Sequence, residues 1–404
     1  MSSQTRRMFL HETSAKLAAA AGLLASSAPR PLRAADETRV RVGIIGATGK
    51  GDYGHGVDVA FTKLPQVEIV ALADAQEAGR EAARKRTNPR KTYADYREML
   101  SNEQLDLVAI CPRWIDQHHD MLVASAQAGC HVYMEKPFCP TLTQCDSVLR
   151  EFEQKKLKLA IAHVSQYSPV LDVVQSLIQQ GEIGEILELR ARGKEDQRGG
   201  GEDLWVLGSH VLGLMRSLAG GNATACSAVV MNQGHKVTRR DVVAGAEGIG
   251  PLAGDQIEAR YTFGSGAAGH FASRRGLAGN PSRFAIQIYG SKGVIEMESG
   301  YMAKAYLLRD PSWSPGRSGK SWEPITSAGV GKPETRTDGS YEGGHLAAIR
   351  DLLESIKHDR SPKCSGNDGR SIVEMIVAVF ESHRLGTPVE LPLKTRANPL
   401  TLLG

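Results

Sequence analysis

Short, almost uniformly apolar runs separated by longer amphipathic stretches set the pattern of the first 160 or so residues. Residues 40–45 (Val-Arg-Val-Gly-Ile-Ile) end in a glycine-rich turn, 67–73 end at Asp74, and 105–110 end at Cys111-Pro112. A fourth run, 131–134, ends at Glu135, and a fifth covers 158–162. Segments 77–86 and 120–128 between them have helical composition. Apolar strands alternating with helices predict a doubly wound parallel sheet covered on both faces. Right-handed crossovers then bring every strand's C-terminal end to one edge, where ligands bind. From about residue 187 the pattern changes: 188–192, 256–263, 284–289 and 293–297 are strand-like with few helices between them. They predict a C-terminal α+β domain with a largely antiparallel open sheet. Residues 311–339, rich in Ser, Pro and Gly, read as a long surface loop, followed by helices over 346–357 and 371–382.

Charge adds a leader to this picture. The formal net charge is +4, and Arg6, Arg7, Lys16, Arg30 and Arg33 against Glu12 place that excess within residues 1–35. The balanced remainder gives no electrostatic reason for a nucleic-acid partner. Thr5-Arg6-Arg7-Met8-Phe9-Leu10, the apolar 17–28 and the small residues at Ala34-Ala35 read as a twin-arginine (Tat) signal peptide. The expected division is therefore a leader at 1–35, a nucleotide domain at 36–162 and a substrate and oligomerisation domain at 163–404. It implies the Tat translocase as a transient partner and a periplasmic or otherwise exported location. Six cysteines show no two-residue spacing, so neither a metal site nor a structural disulfide is expected.

The turn after the first strand reads Gly46-Ala47-Thr48-Gly49-Lys50-Gly51. A Rossmann dinucleotide turn needs glycines where the chain reverses and where backbone approaches pyrophosphate. Gly46, Gly49 and Gly51 supply them, while Thr48 stands at the second-glycine position. Asp74, at the end of the second strand, is placed to accept ribose hydroxyls, which favours NAD and leaves NADP as the alternative. Pro112 and Glu135, at neighbouring strand ends, complete the expected cofactor edge together with Lys136.

Gly129-Cys130-His131-Val132-Tyr133-Met134-Glu135-Lys136-Pro137 closely resembles the signature of the glucose-fructose oxidoreductase/inositol dehydrogenase/rhizopine catabolism (Gfo/Idh/MocA) family. Residues 177–184, 288–293 and 389–393 extend the resemblance over nearly the whole chain after the leader. The resemblance implies hydride transfer between a nicotinamide and a sugar or polyol, with Lys136 assisting proton transfer. It also implies a homo-oligomer paired through the open sheet. Independently, a lysine desolvated beside a cationic nicotinamide has its pKa lowered, as a base for an alcohol proton requires.

The family's Asp-x-Gly-x-His-x-x-Asp element corresponds to 206–213. His210 is retained as a catalytic candidate, but Val206 and Gly213 replace the two acids. Asp203 and Trp205, with His118, His163 and Tyr167, are the further substrate candidates. Export adds the expectation of a tightly held cofactor. The missing acids keep two alternatives open: a glycosidase or lyase that uses NAD transiently, and an inactive sugar- or nucleotide-binding homologue.

Overall fold

The computed structural model describes residues 39–404, so the leader read at 1–35 lies outside the described residues. Six parallel strands form the first sheet: β1 (Val40–Ile45), β2 (Val67–Ala73), β3 (Lys91–Tyr93), β4 (Leu107–Ile110), β5 (His131–Met134) and β6 (Leu159–Ile161). Their spatial order is β3-β2-β1-β4-β5-β6. The connecting helices are α1 (Val57–Phe61), α2 (Glu77–Thr87), α3 (Tyr96–Asn102), α4 (His118–Gln127) and α5 (Leu142–Gln154). Every residue of β4 and β5 is buried, as helices on both faces require. The winding reverses between β1 and β4, which opens a crevice at the C-terminal edge of those strands.

Helix α6 (Pro169–Gln179) starts at a Ser168 side-chain cap with proline in its first turn, and leads into the second sheet. Its early members are β7 (Ile186–Arg192), then, after α7 (Ser209–Leu218), β8 (Ala223–Asn232) and β9 (His235–Lys236). A separate two-stranded ribbon follows, β10 (Val243–Gly245) with β11 (Gly250–Leu252). The main sheet resumes with β12 (Gln256–Phe263), β13 (Ala268–Arg274), β14 (Ala285–Gly290), β15 (Val294–Glu298) and β16 (Ala305–Leu308). Short edge strands β17 (Glu323–Thr326) and β18 (Gly329–Val330) extend one side. Helices α8 (Tyr341–Lys357) and α9 (Gly366–Leu385) then precede β19 (Val389–Glu390) on the other.

All neighbours in this sheet are antiparallel except β7 with β13. Along β12, Ile257, Ala259, Tyr261 and Phe263 are buried while Glu258 and Arg260 face outward, the alternation of a sheet with one covered face. Helix α9 packs on the covered face against β8. Helix α8 instead returns to the first domain, where His345 Nδ1 meets the Tyr133 hydroxyl at 2.7 Å and Tyr341 stacks on His55.

The segment read as a loop at 311–339 contains β17 and β18. A four-residue strand that includes Pro324, paired with only two residues of β18 on its outer side, carries too little apolar signal to be seen in sequence. Strands β8 and β13 were likewise not anticipated, because alanine, serine and glycine dilute their alternation.

Candidate active site

The glycine-rich turn lies directly on the ends of β4 and β5. Gly49, Gly51, Gly54 and Gly56 all have positive φ. A Cβ at Gly51 would stand 2.4 Å from the Arg113 amide nitrogen, and one at Gly54 would stand 2.6 Å from the Cys111 carbonyl. Only glycine permits this approach. Thr48 has a role of its own: its hydroxyl donates to Asp74 Oδ2 at 2.7 Å and its amide to the same oxygen at 3.2 Å. The Gln76 amide donates to Asp74 Oδ1 at 2.9 Å. Asp74 is thus 2 % exposed and tied to the turn itself, rather than standing free for a ribose. A cleft of about 420 Å³ opens here, lined among others by Gly46, Thr48, Lys50, Asp74, Tyr96 and Arg97. Its size, its place at the winding reversal and the bare backbone of the turn fit a dinucleotide.

Lys136 stands at the neighbouring strand end. The Lys136–Pro137 peptide is cis, and Nζ donates to the Val206 carbonyl at 2.7 Å across the domain junction. That carbonyl belongs to Leu204–Gly208, where the backbone widens into a π-helical turn just before α7. A π turn breaks the regular carbonyl ladder and commonly marks a functional site. Position 206 therefore presents an acceptor to the lysine through its main chain, although valine has no acid to offer. Burial pushes the Lys136 pKa below the ordinary lysine value. Glu135 and Glu247 oppose that shift, and Arg113 and Arg198 add to it.

Glu135 is 1 % exposed and its carboxylate lies against Gly54 and His55 of the glycine-rich loop. It accepts from the His55 amide at 2.9 Å and the Lys136 amide at 3.1 Å, and meets His55 Nδ1 at 2.8 Å. Burial disfavours its charge, but the His55 contacts prevail and hold the carboxyl down at about 2. It is a positioning residue, joining the cofactor turn to the strand that bears Lys136.

His163 and His210 face each other with ring centroids 5.5 Å apart. Burial, then the neighbouring Lys136, lowers both; His163 falls to about 3 and His210 well below its ordinary value. Both are neutral imidazoles at physiological pH, and the Nδ1 of each is buried without a hydrogen-bond partner among the described residues. Gly213, one turn along α7, is closely surrounded: a Cβ there would lie 3.2 Å from Gln166 Nε2 and 3.1 Å from Ile372 Cδ1.

Four other candidates are built into the structure instead of facing substrate. His118 is fully buried, its nitrogens 2.8 Å from the Pro137 and Pro112 carbonyls, so it braces the two strand-end loops. Asp203 accepts from the Lys194 and Glu195 amides and from the Ser273 hydroxyl, holding the turn ahead of Val206. Trp205 is 2 % exposed core. The Tyr167 hydroxyl is taken by Asp351 and the Cys364 amide. Pro112 contributes its carbonyl to His118, next to Arg113. In each case the residue type was legible but its orientation was not, since orientation follows from partners that the fold brings to it. The sequence reading missed His55 and Gln166; the only signal was a histidine between two glycines, Gly54 and Gly56. All six cysteines are buried free thiols, and the described residues hold no His/Cys/Asp/Glu cluster suited to a metal.

Comparison with known proteins settles the lineage. Residues 40–163 match the model of the oxidoreductase family's NAD-binding Rossmann fold, and 175–391 match its C-terminal alpha/beta domain. The chain belongs to the Gfo/Idh/MocA oxidoreductase family. This member is 23 % identical to levoglucosan dehydrogenase of Pseudarthrobacter phenanthrenivorans, over 86 % of this chain and 98 % of that protein. It is 23 % identical to the NADP-dependent scyllo-inositol 2-dehydrogenase IolW of Bacillus subtilis, over 85 % and 94 %. A levoglucosan dehydrogenase solved with NADH and levoglucosan superposes with a TM-score of 0.72 at 19 % identity, over 88 % of this chain and all of that one. The Gfo/Idh/MocA chain is an oxidoreductase with an NAD-binding Rossmann domain and a mixed, mostly antiparallel second sheet.

Proposed function

We propose that this oxidoreductase is an NAD-dependent dehydrogenase of a sugar or polyol, with Lys136 exchanging the hydroxyl proton. The observation that carries this reading is the buried Lys136 ammonium, 2.7 Å from the Val206 carbonyl at the junction of the nucleotide and second domains. Gly46, Gly49 and Gly51, with Thr48 and Asp74, form the turn that would hold NAD, and Pro112, Glu135 and Lys136 supply the adjoining strand ends. Bound NAD supplies the acceptor for a hydride from the carbinol carbon. Lys136, when neutral, takes the proton from the attached oxygen, while the Val206 carbonyl holds one of its N–H groups and so orients the amine. His210 and His163, both neutral, donate to or accept from substrate hydroxyls.

The names of the relatives support a carbohydrate substrate, since levoglucosan and scyllo-inositol both present rows of ring hydroxyls. Purified protein supplied with NAD, and separately NADP, and screened against a sugar and polyol panel by nicotinamide absorbance tests the reading. Reduction by at least one panel member supports it, and none with either cofactor overturns it. Export by the twin-arginine route, with cofactor loaded and held tightly before crossing, is part of the proposal on the strength of Arg6-Arg7 and the apolar stretch after them. So is pairing of copies through the outward face of the second sheet, where a trough bearing Arg190, Glu258, Arg260 and Glu296 is open.

A further inference from the structure

The ribbon β10–β11 lies off the main sheet and bridges the two domains. Near its base, Ala253 and Gly254 pack against Gly200 and Gly201: a Cβ on either glycine would stand 2.4 Å from a carbonyl of that pair. Those glycines begin the turn that carries Val206, so the ribbon is rooted on the wall facing Lys136. Its tip, the 3-10 turn Ala246–Gly248, packs against Ile115–Gln117 at the C-terminal edge of β4. The approach is close enough that a Cβ on Gly248 would lie 2.7 Å from Asp116 Oδ1. Ile249 beside it is buried at 1 % exposure and anchors the tip. The ribbon therefore crosses the domain junction at the strand edge where the cofactor cleft and Lys136 meet.

At the tip stands Glu247, at φ 52° and ψ 27°. This is the left-handed region, disfavoured for a residue with a side chain and commonly retained where function demands it. Its carboxylate is half-buried and has no hydrogen-bonding partner among the described residues. A structural acid would be paired, as Asp203, Glu135 and Asp74 all are. The charge of Glu247 is felt by Lys136, by Arg198 and by Glu202, which places it over the same cleft.

We propose that Glu247, carried across the junction by the β10–β11 ribbon, receives a substrate hydroxyl in place of the acids absent at Val206 and Gly213, and thereby selects the sugar or polyol accepted. This rests on the dehydrogenase reading above. Carboxylates are strong acceptors for vicinal hydroxyls, whereas Lys136, His163 and His210 present an amine and two neutral imidazoles.

The test uses full-length protein with NAD and the best substrate from the panel, in the parent, Glu247→Gln and Glu247→Gly. Glycine suits the positive φ, so the second variant keeps the tip folded even if the first does not. NADH affinity, read by fluorescence titration, is expected to stay at the parental value. KM is expected to rise about 10–100-fold, the loss of one hydrogen bond to a charged group, with kcat changed far less. In Glu247→Gln the acid limb of kcat/KM should move to lower pH, because the carboxylate no longer supports the Lys136 ammonium. Glu135 still does so; Arg113 and Arg198 oppose it, and His163 and His210 stay neutral. Parental KM and an unmoved limb in both variants overturn the proposal, as does a loss of NADH affinity, which would make the ribbon a cofactor clamp. If the parent itself reduces NAD with no panel member, the dehydrogenase reading fails first and takes this assignment with it.

Discussion

Replacing Glu135 tests whether the cofactor turn and the catalytic strand are one mechanical unit. Glu135→Ala removes a 1 % exposed carboxylate that accepts from the His55 and Lys136 amides at 2.9 and 3.1 Å and pairs with His55 Nδ1 at 2.8 Å. Neither amide has another acceptor among the described residues. Each donor left unpaired costs about 1–3 kcal/mol when fully buried, and with the His55 side chain 29 % exposed the lower end of that range is expected for each bond it loses. Glu135→Gln retains one oxygen for His55 but turns an amide donor toward another N–H, so about 1–3 kcal/mol is expected. Thermal unfolding should register each kcal/mol as roughly 2–4 °C for domains of 150–250 residues. Because Gly54 lies against the Glu135 Cγ, the loosened part is the turn, and NADH titration should show weaker binding in parallel. An alanine variant that melts within about 1 °C of the parent, less than the shift of a single lost hydrogen bond, and binds NADH normally would refute the argument.

Three further outcomes follow from the same geometry. Gly51→Ala combines φ +84° with a Cβ 2.4 Å from the Arg113 nitrogen, and should cost NADH affinity at least about tenfold more than Gly49→Ala, whose surroundings are open. Thr48→Val deletes the 2.7 Å bond to Asp74 and should lower stability by about 1–3 kcal/mol in denaturant unfolding, with Asp74 freed toward the cleft. Alcohol oxidation needs neutral Lys136, so kcat/KM should rise with pH through a midpoint below the ordinary lysine value of 10.5, because burial lowers it. A midpoint at or above that value would contradict the burial argument.

The parallel sheet was legible because each strand is a short continuous apolar run ending in a turn residue with chemical meaning: Gly46, Asp74, Pro112, Glu135. Lys136 was legible for the same reason, being fixed by the strand that precedes it. The second sheet was only partly legible. Strands such as β13, with Gly269, His270 and Ser273, owe part of their burial to α7, whose Met215 lies against Gly269. The site beyond Lys136 was harder still. Asp203, Trp205, Tyr167 and His118 have functional-looking side chains whose partners happen to be backbone or core. Val206 reads as a loss in sequence, yet its carbonyl is what the lysine meets. Glu247 sits in a ribbon whose relation to the cleft depends entirely on tertiary docking.

The central claim is that Lys136 moves the proton while other groups hold cofactor and substrate. Lys136→Met keeps the length and apolar stem of the side chain and removes the amine. On the best panel substrate, the account predicts NADH affinity within about threefold of the parent, turnover lower by roughly 10²–10⁴-fold, and loss of the acid limb from the pH profile. Turnover near the parental rate with the same pH dependence would contradict it.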